Sequence, residues 1–300
     1  MELRESTTYT CDLYEKAMFY KQHHDDIMTE KYLLLCANND HVNAIYELGL
    51  YYEEKKDYEN MKKYFIMAIK KGITSAMIHL GYYYEQINDF KNMKMYYLMA
   101  FQKNDIDAMI QLGNYYKHKK NYTKMKKYYL TAINNNNTIA MNNLGEYYYE
   151  NGKYVKMMKY FLMAIKRGDS LAMNNLGVYY VNNLEYDKMK EYFLMAIKIN
   201  DVVAMRNLGM HYLNIRDNEN AKKYLLMAFT HNDVKSMRYL GHLYQLNQDY
   251  ANMRNYYEMA MDKGDKISIY CLGQYYKNII MDVRMSRKYK WLFDNTKHML

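Results

Sequence analysis

The sequence predicts an all-α fold, an αα-hairpin repeat solenoid, and three observations carry that prediction. A Leu-Gly pair recurs every thirty-two residues, with its glycines at Gly49, Gly81, Gly113, Gly145, Gly177, Gly209, Gly241 and Gly273. Between successive pairs the apolar residues fall twice into helical spacing. The chain also has no proline and only twelve glycines, so it holds no stretch that reads as a flexible linker. A fixed period in this range marks units that cannot bury their apolar faces alone and therefore stack on their neighbours.

Residues 44–75 show one unit. Ala44, Ile45, Leu48, Gly49 and Tyr52 share one face of a first helix, and Met61, Tyr64, Phe65, Ala68 and Ile69 share one face of a second. Two helices of about 11 to 14 residues with short turns fill the period. Ahead of the second helix stand Asp57, Asp89, Asn121, Asp217 and Asp249, side chains able to accept from the free amides of a helix start. Behind it stand Gly72, Asn104, Asn136, Gly168, Asn200, Asn232 and Gly264, the residue types that tolerate the left-handed conformation closing a helix. Asp105, Asp169, Asp201, Asp233 and Asp265 follow, placed to start the next helix.

The Leu-Gly glycine lies inside a helix, where each costs about 1 kcal/mol against alanine. The expected offset is a close approach of the partner helix, at which a Cβ would collide. The alanines Ala68, Ala100, Ala132, Ala164, Ala196, Ala228 and Ala260 are read as serving the same contact. Shifting the register back from Gly49 gives Leu13, Ala17 and Tyr20. Beyond Gly273 it reaches Tyr289, Trp291 and Phe293. Nine units are expected over 12–299, as one domain: an N-terminal capping repeat at 12–43, seven regular repeats at 44–267 and a C-terminal capping repeat at 268–299. Residues 1–11 are expected to form a poorly ordered extension.

Composition narrows the function classes. Three scattered cysteines, none in a CxxC arrangement, argue against a disulfide framework and for a reducing, cytoplasmic setting. The opening MELRESTTYT has no apolar core of a secretory signal, and no apolar run reaches the roughly 18 residues of a membrane span. Neither a membrane partner nor a cofactor is expected. The wealth of Tyr, Asn and Lys has a second source to weigh, the base composition of an AT-rich genome.

The string A-x-x-x-L-G-x-x-Y followed by D-Y/F-x-x-M, carried here by Ala76, Leu80, Gly81, Tyr84, Asp89, Phe90, Tyr96 and Ala100, resembles the Sel1-like repeat of the tetratricopeptide superfamily. The resemblance recurs along the whole chain. It implies a right-handed superhelix whose first helices line a concave groove, and it implies adaptor or scaffold work without catalysis. Two features depart from the family. The loop within each unit is shorter, and Met61, Met93, Met125, Met157, Met189 and Met253 stand where the family places alanine, which only Ala221 keeps. Short Tyr/Asn/Lys-rich units are similar to arrays of giant DNA viruses, which would make a host cytoplasm the setting.

No P-loop, nucleophile elbow, zincin helix or dinucleotide fingerprint is present in the sequence, so the chain reads as no enzyme. His23-His24-Asp25-Asp26 reads as a solvated turn rather than a metal site, and His211 and His242 as a surface pair. Three residues before each glycine the series runs Tyr46, Ile78, Ile110, Asn142, Asn174, Arg206, Arg238 and Tyr270, and the next position adds Asn143, Asn175 and Asn207. Amides can pair with an extended peptide backbone, and arginine can hold a carboxylate with two bonds. Asn142, Asn143, Asn174, Asn175, Arg206, Asn207 and Arg238 are therefore the candidate site for a protein or peptide partner, an acidic one fitting best. The competing account is a merely hydrated polar groove. The net charge of +9 keeps a nucleic-acid partner open, through a stripe that includes Lys62, Lys94, Lys126, Lys190 and Lys222.

Overall fold

The computed structural model describes the backbone of residues 2–295 and the side chains of residues 12–295. Among the described residues there are eighteen α-helices and no strand. The chain divides into two compact units, Met1–Leu144 and Gly145–Leu300. The first contains α1 (Glu2–Gln22), α2 (Asp26–Asn38), α3 (Val42–Glu54), α4 (Tyr58–Lys70), α5 (Ser75–Gln86), α6 (Phe90–Gln102), α7 (Ile106–His118) and α8 (Tyr122–Asn134). The boundary falls within α9 (Thr138–Glu150). The second continues with α10 (Tyr154–Ile165), α11 (Ser170–Asn182), α12 (Tyr186–Ile197), α13 (Val202–Asn214), α14 (Asn218–Phe229), α15 (Val234–Leu246), α16 (Tyr250–Asp262), α17 (Lys266–Asn278) and α18 (Val283–Asn295). The odd helices from α3 onward carry the Leu-Gly pair, and α1 has Ala17 in the glycine's place. Helix α1 runs back to Glu2, through the segment expected to be an extension.

The caps are where the sequence puts them. Asp57, Asp89, Asn121, Asp217 and Asp249 each accept a hydrogen bond from the amide three residues on. Asp105, Asp169, Asp201, Asp233 and Asp265 do the same for odd helices. Lys153 and Glu185 occupy the cap position of α10 and α12 with no side-chain bond to a helix amide, Glu185 pairing with Lys188 instead. All seven Gly or Asn residues after the even helices have positive φ. The turn inside each hairpin holds a second left-handed residue, and there the residue type varies: Lys56, Lys120, Leu184, Arg216 and Gln248 all have φ between 54 and 61°. A three-residue reversal forces that conformation on whatever residue occupies it, so no composition signal announced it.

The glycine is explained by a ring. Sixteen residues after it, on the second helix of the same hairpin, Phe65, Tyr97, Tyr129, Phe161, Phe193 and Tyr257 lie flat against Gly49, Gly81, Gly113, Gly145, Gly177 and Gly241. A Cβ at Gly145 or Gly241 would come within 2.6 Å of the ring. At Gly209 the opposing residue is Leu225, and the helices approach until a Cβ would lie 3.0 Å from the Leu225 backbone nitrogen. The hydroxyls that these rings carry find partners on the odd helix, Tyr97 donating to Glu85 at 3.0 Å and Tyr257 to Gln245 at 3.0 Å. The methionines that depart from the family pattern are fully buried, as is Ala221.

A second device repeats beside the first. Tyr52 stacks on Tyr64, Tyr84 on Tyr96, Tyr116 on Tyr128, Tyr148 on Tyr160, Tyr180 on Tyr192, Tyr212 on Tyr224 and Tyr244 on Tyr256. Such offset pairs add about 0.5–1.5 kcal/mol beyond area burial. Base composition is therefore no account of these tyrosines, because each has a place in a hairpin.

Candidate functional site

The candidate row lies on the odd helices, and within each unit hydrogen bonds tie its members to neighbouring helices. In the first unit Asn142 is buried, and Asn143 donates to Asn114 at 3.2 Å. Asn114 also accepts from the Tyr129 hydroxyl at 2.7 Å and donates to Gln111 at 3.2 Å, and Gln111 donates to the Tyr82 hydroxyl at 2.5 Å. Nearer the start, Tyr46 and Glu53 of α3 grip the two ring nitrogens of His79 on α5, at 3.1 and 2.8 Å. With Nδ1 bonded to the carboxylate, Nε2 is left to accept from the tyrosine. His79 holds the repeat position of Asn143, Asn175 and Asn207, and as a histidine it fell outside that row of amides.

In the second unit Asn174 is buried and accepts from Asn207 at 2.9 Å, while Asn175 donates to Glu146 at 3.4 Å. Arg206 and Arg238 are turned inward. Each holds the cap aspartate of the next odd helix, Asp233 at 2.5 Å and Asp265 at 2.7 Å, with side chains only 11–15% exposed. The fork that the sequence reading offered to a partner's carboxylate thus already holds one from the chain itself. The row joins neighbouring repeats, and its half-exposed members are Asn143, Asn175 and Asn207.

On α11 and α13 the exposed part of this helix face is apolar, whereas the same register holds Asp107 on α7 and Lys235 on α15. Leu171 is 50% exposed on α11 and Val203 39% on α13, and Val178 is exposed beside them. Leu171, Asn175 and Val178 lie along one face, as do Val203, Asn207 and Met210, by the i, i+4, i+7 spacing of a helix. Helices α11 and α13 are in direct contact. The signal was legible: the position four before Asn175 and Asn207 reads Leu171 and Val203, where a helix facing only water would carry polar residues.

The lysines of the even helices lie over tyrosine rings. Lys62 sits 5.8 Å from the Tyr83 centroid, Lys190 5.6 Å from Tyr212 and Lys222 5.5 Å from Tyr244, each ring belonging to the following hairpin. Contacts of this kind contribute about 0.5–1 kcal/mol at exposed sites.

The histidines do not form a surface pair. His211 is buried between Tyr186 and Tyr212, and that burial, then Lys190, holds its pKa below the ordinary histidine value. His242 is exposed. In the turn at 23–26, His23 bonds the Phe19 carbonyl, Asp25 caps α2 and Asp26 pairs with Lys55. Burial raises the hydroxyl pKa of Tyr97 and Tyr257 and the thiol pKa of Cys271. Among the described residues no helix is long and apolar enough to cross a membrane.

Stacked hairpins of this kind define an all-α repeat protein. The tetratricopeptide-repeat model matches residues 42–70 and 106–139, which cover α3–α4 and α7 into α9. The fold is that of tetratricopeptide/Sel1-like repeat proteins. It is similar in fold to a protective antigen of uropathogenic Escherichia coli strains that displays an SLR fold, at TM-score 0.59 and 17% identity over 98% of this chain and 71% of that one. A Sel1 repeat protein from Oxalobacter formigenes gives 0.54 and 18%, over 71% and 97%. A tetratricopeptide repeat protein from Parabacteroides merdae gives 0.51 and 13%, over 85% and 99%. No curated protein matches the sequence. The fold is one that commonly serves as a scaffold for protein interaction.

Proposed function

We propose that this chain is a non-enzymatic scaffold of the cytoplasm that holds a protein partner along its odd-helix face. The observation that carries this reading is the exposed pair Leu171 and Val203 at one register of adjacent helices, with Asn175 and Asn207 beside them. Apolar contacts would supply affinity, and the amides would pair with the backbone of an extended segment. Arg206 and Arg238 then keep successive helices in register instead of touching the partner. Cys36 and Cys271 stand outside any disulfide, in keeping with a reducing compartment. The engagement of Lys62, Lys190 and Lys222 by the chain's own rings weighs against the nucleic-acid alternative.

The test is affinity capture with and without nuclease, using the intact chain beside Leu171→Asp/Val203→Asp. Both side chains are exposed, so helicity and melting are expected to hold. Proteins that survive nuclease and are lost with the variant bear the proposal out. Capture that ignores the variant, or that collapses with nuclease and with Lys62→Glu, overturns it.

A further inference from the structure

Five junctions between hairpins share one contact, which the junction of α14 and α15 lacks because Asn218 and Leu243 hold its two positions. The first residue of an even helix packs on the ring two places after the Leu-Gly glycine of the next odd helix: Tyr58 on Tyr83, Phe90 on Tyr115, Tyr154 on Tyr179, Tyr186 on His211 and Tyr250 on Tyr275, at centroid distances of 5.0–6.0 Å. One turn further along the even helix, Lys190 meets the ring at the next position, Tyr212, and Lys222 meets Tyr244, whereas Lys62 lies over Tyr83 itself. The junction of α12 and α13 thus combines a ring-on-ring contact with a ring-and-cation contact.

The positions of both contacts recur on the first and last described hairpins. In the first hairpin the ring positions are Phe19, which packs on His23 and is 54% exposed, and Tyr20, which stacks on Tyr32. In the last, α18 starts one residue late, which is why Tyr276 stacks on Tyr289 at a spacing of thirteen instead of twelve. That slip brings Val283 to the position of Tyr250 and Arg287 to that of Arg254. Trp291 follows one turn on, so Val283, Arg287 and Trp291 line one face. Val283 is 62% and Trp291 61% exposed, and Arg287 is exposed. Each face sets exposed apolar side chains among charged ones, Phe19 beside Glu15 and Lys16 and Val283 and Trp291 beside Arg284, Arg287 and Lys288. The net charges of the two hairpins are opposite. Residues 12–38 hold five carboxylates against three lysines, a net of −2, whereas residues 266–295 hold six cations against two carboxylates, a net of +4.

We infer that the last hairpin of one molecule docks on the first hairpin of a second copy, repeating the internal junction between chains. Val283 takes the place of Tyr250 against Phe19, Arg287 meets the Tyr20 ring, and opposite net charges bring the two faces together. The contact is heterologous, so it does not close after two subunits. It builds rings or open rows.

The test is sedimentation velocity over a concentration series, at low salt and at about 0.5 M salt, where surface attraction is largely screened. The intact chain is expected to gain mass with concentration at low salt and to lose that gain at high salt. Trp291, the single tryptophan, should shift its emission to the blue as the mass rises. Phe19→Asp and Val283→Asp/Arg287→Glu should each remain monomeric. An equal mixture of the two variants should form dimers and stop there, since each retains one working end. Circular dichroism checks that each variant folds, and Arg287→Glu alone serves if the double variant does not. A monomer at every concentration overturns the inference, as does association that survives in either variant alone.

Discussion

Asp233 holds two partners at once: one carboxylate oxygen accepts from the Arg206 guanidinium at 2.5 Å, and the other accepts from the Ser236 amide at 2.7 Å. The aspartate that starts α15 is thereby fixed to α13, one repeat earlier. Asp265 repeats the arrangement with Arg238 and Ser268. Hydrogen bonds to charged groups contribute about 1.5–3 kcal/mol each when largely shielded from water. Arg206→Ala is therefore expected to lower stability by about 2 kcal/mol, and Arg206→Glu by more, because it sets two carboxylates face to face. Thermal melting followed by circular dichroism reads both. An unchanged midpoint in Arg206→Glu would show that the pair contributes nothing to the junction.

The eight Leu-Gly glycines should not respond alike to alanine. A Cβ at Gly241 would lie 2.6 Å from the Tyr257 ring, and overpacking of that kind costs about 1–3 kcal/mol. At Gly273 the slip of α18 has removed the ring, and a Cβ would sit at an ordinary 3.4 Å from Tyr289. Gly241→Ala is expected to destabilise, whereas Gly273→Ala should gain up to about 1 kcal/mol from helix propensity. Opposite signs in parallel urea titrations are the expected result.

The uncapped starts of α10 and α12 are places to add stability. Lys153→Asp would put a carboxylate where Asp57 and Asp89 cap their helices, worth about 1 kcal/mol. Asp89→Ala should lose a similar amount. A raised midpoint for the first and a lowered one for the second is the outcome to look for.

Two acid steps are expected in the stability profile. His211 has a folded pKa below its unfolded value of about 6.5, so the unfolded chain binds more protons and stability falls as pH drops through that value. His211→Gln should remove this step. The caps Asp57, Asp89, Asp217 and Asp249 have depressed pKa values, chiefly through hydrogen bonds from Asn60, Asn92, Asn220 and Asn252. Their contribution is present above the unfolded value of about 3.9 and is lost as pH falls through the lower folded values. Replacing all four by Asn should flatten the second step while leaving the first in place.

The sequence by itself determined the period, the helix pairs, the caps and the left-handed closures. Each of these is decided within a few residues: an aspartate accepts from an amide three places on, and an asparagine or glycine relieves a steric clash local to its own backbone. It also located the odd-helix row that includes Asn142, Asn174, Arg206 and Arg238. Only the tertiary structure decided what those side chains do. Whether a polar residue points at a partner or at its own chain depends on what the next repeat brings within 3 Å, and thirty-two residues of separation hide that from any local pattern. Asp233 reaching Arg206, rings seated on glycines, lysines laid over the following repeat's tyrosines and Leu171 left uncovered beside Asn175 are all consequences of stacking. The period says that repeats stack, and the packing of one hairpin on the next says which side chains remain available.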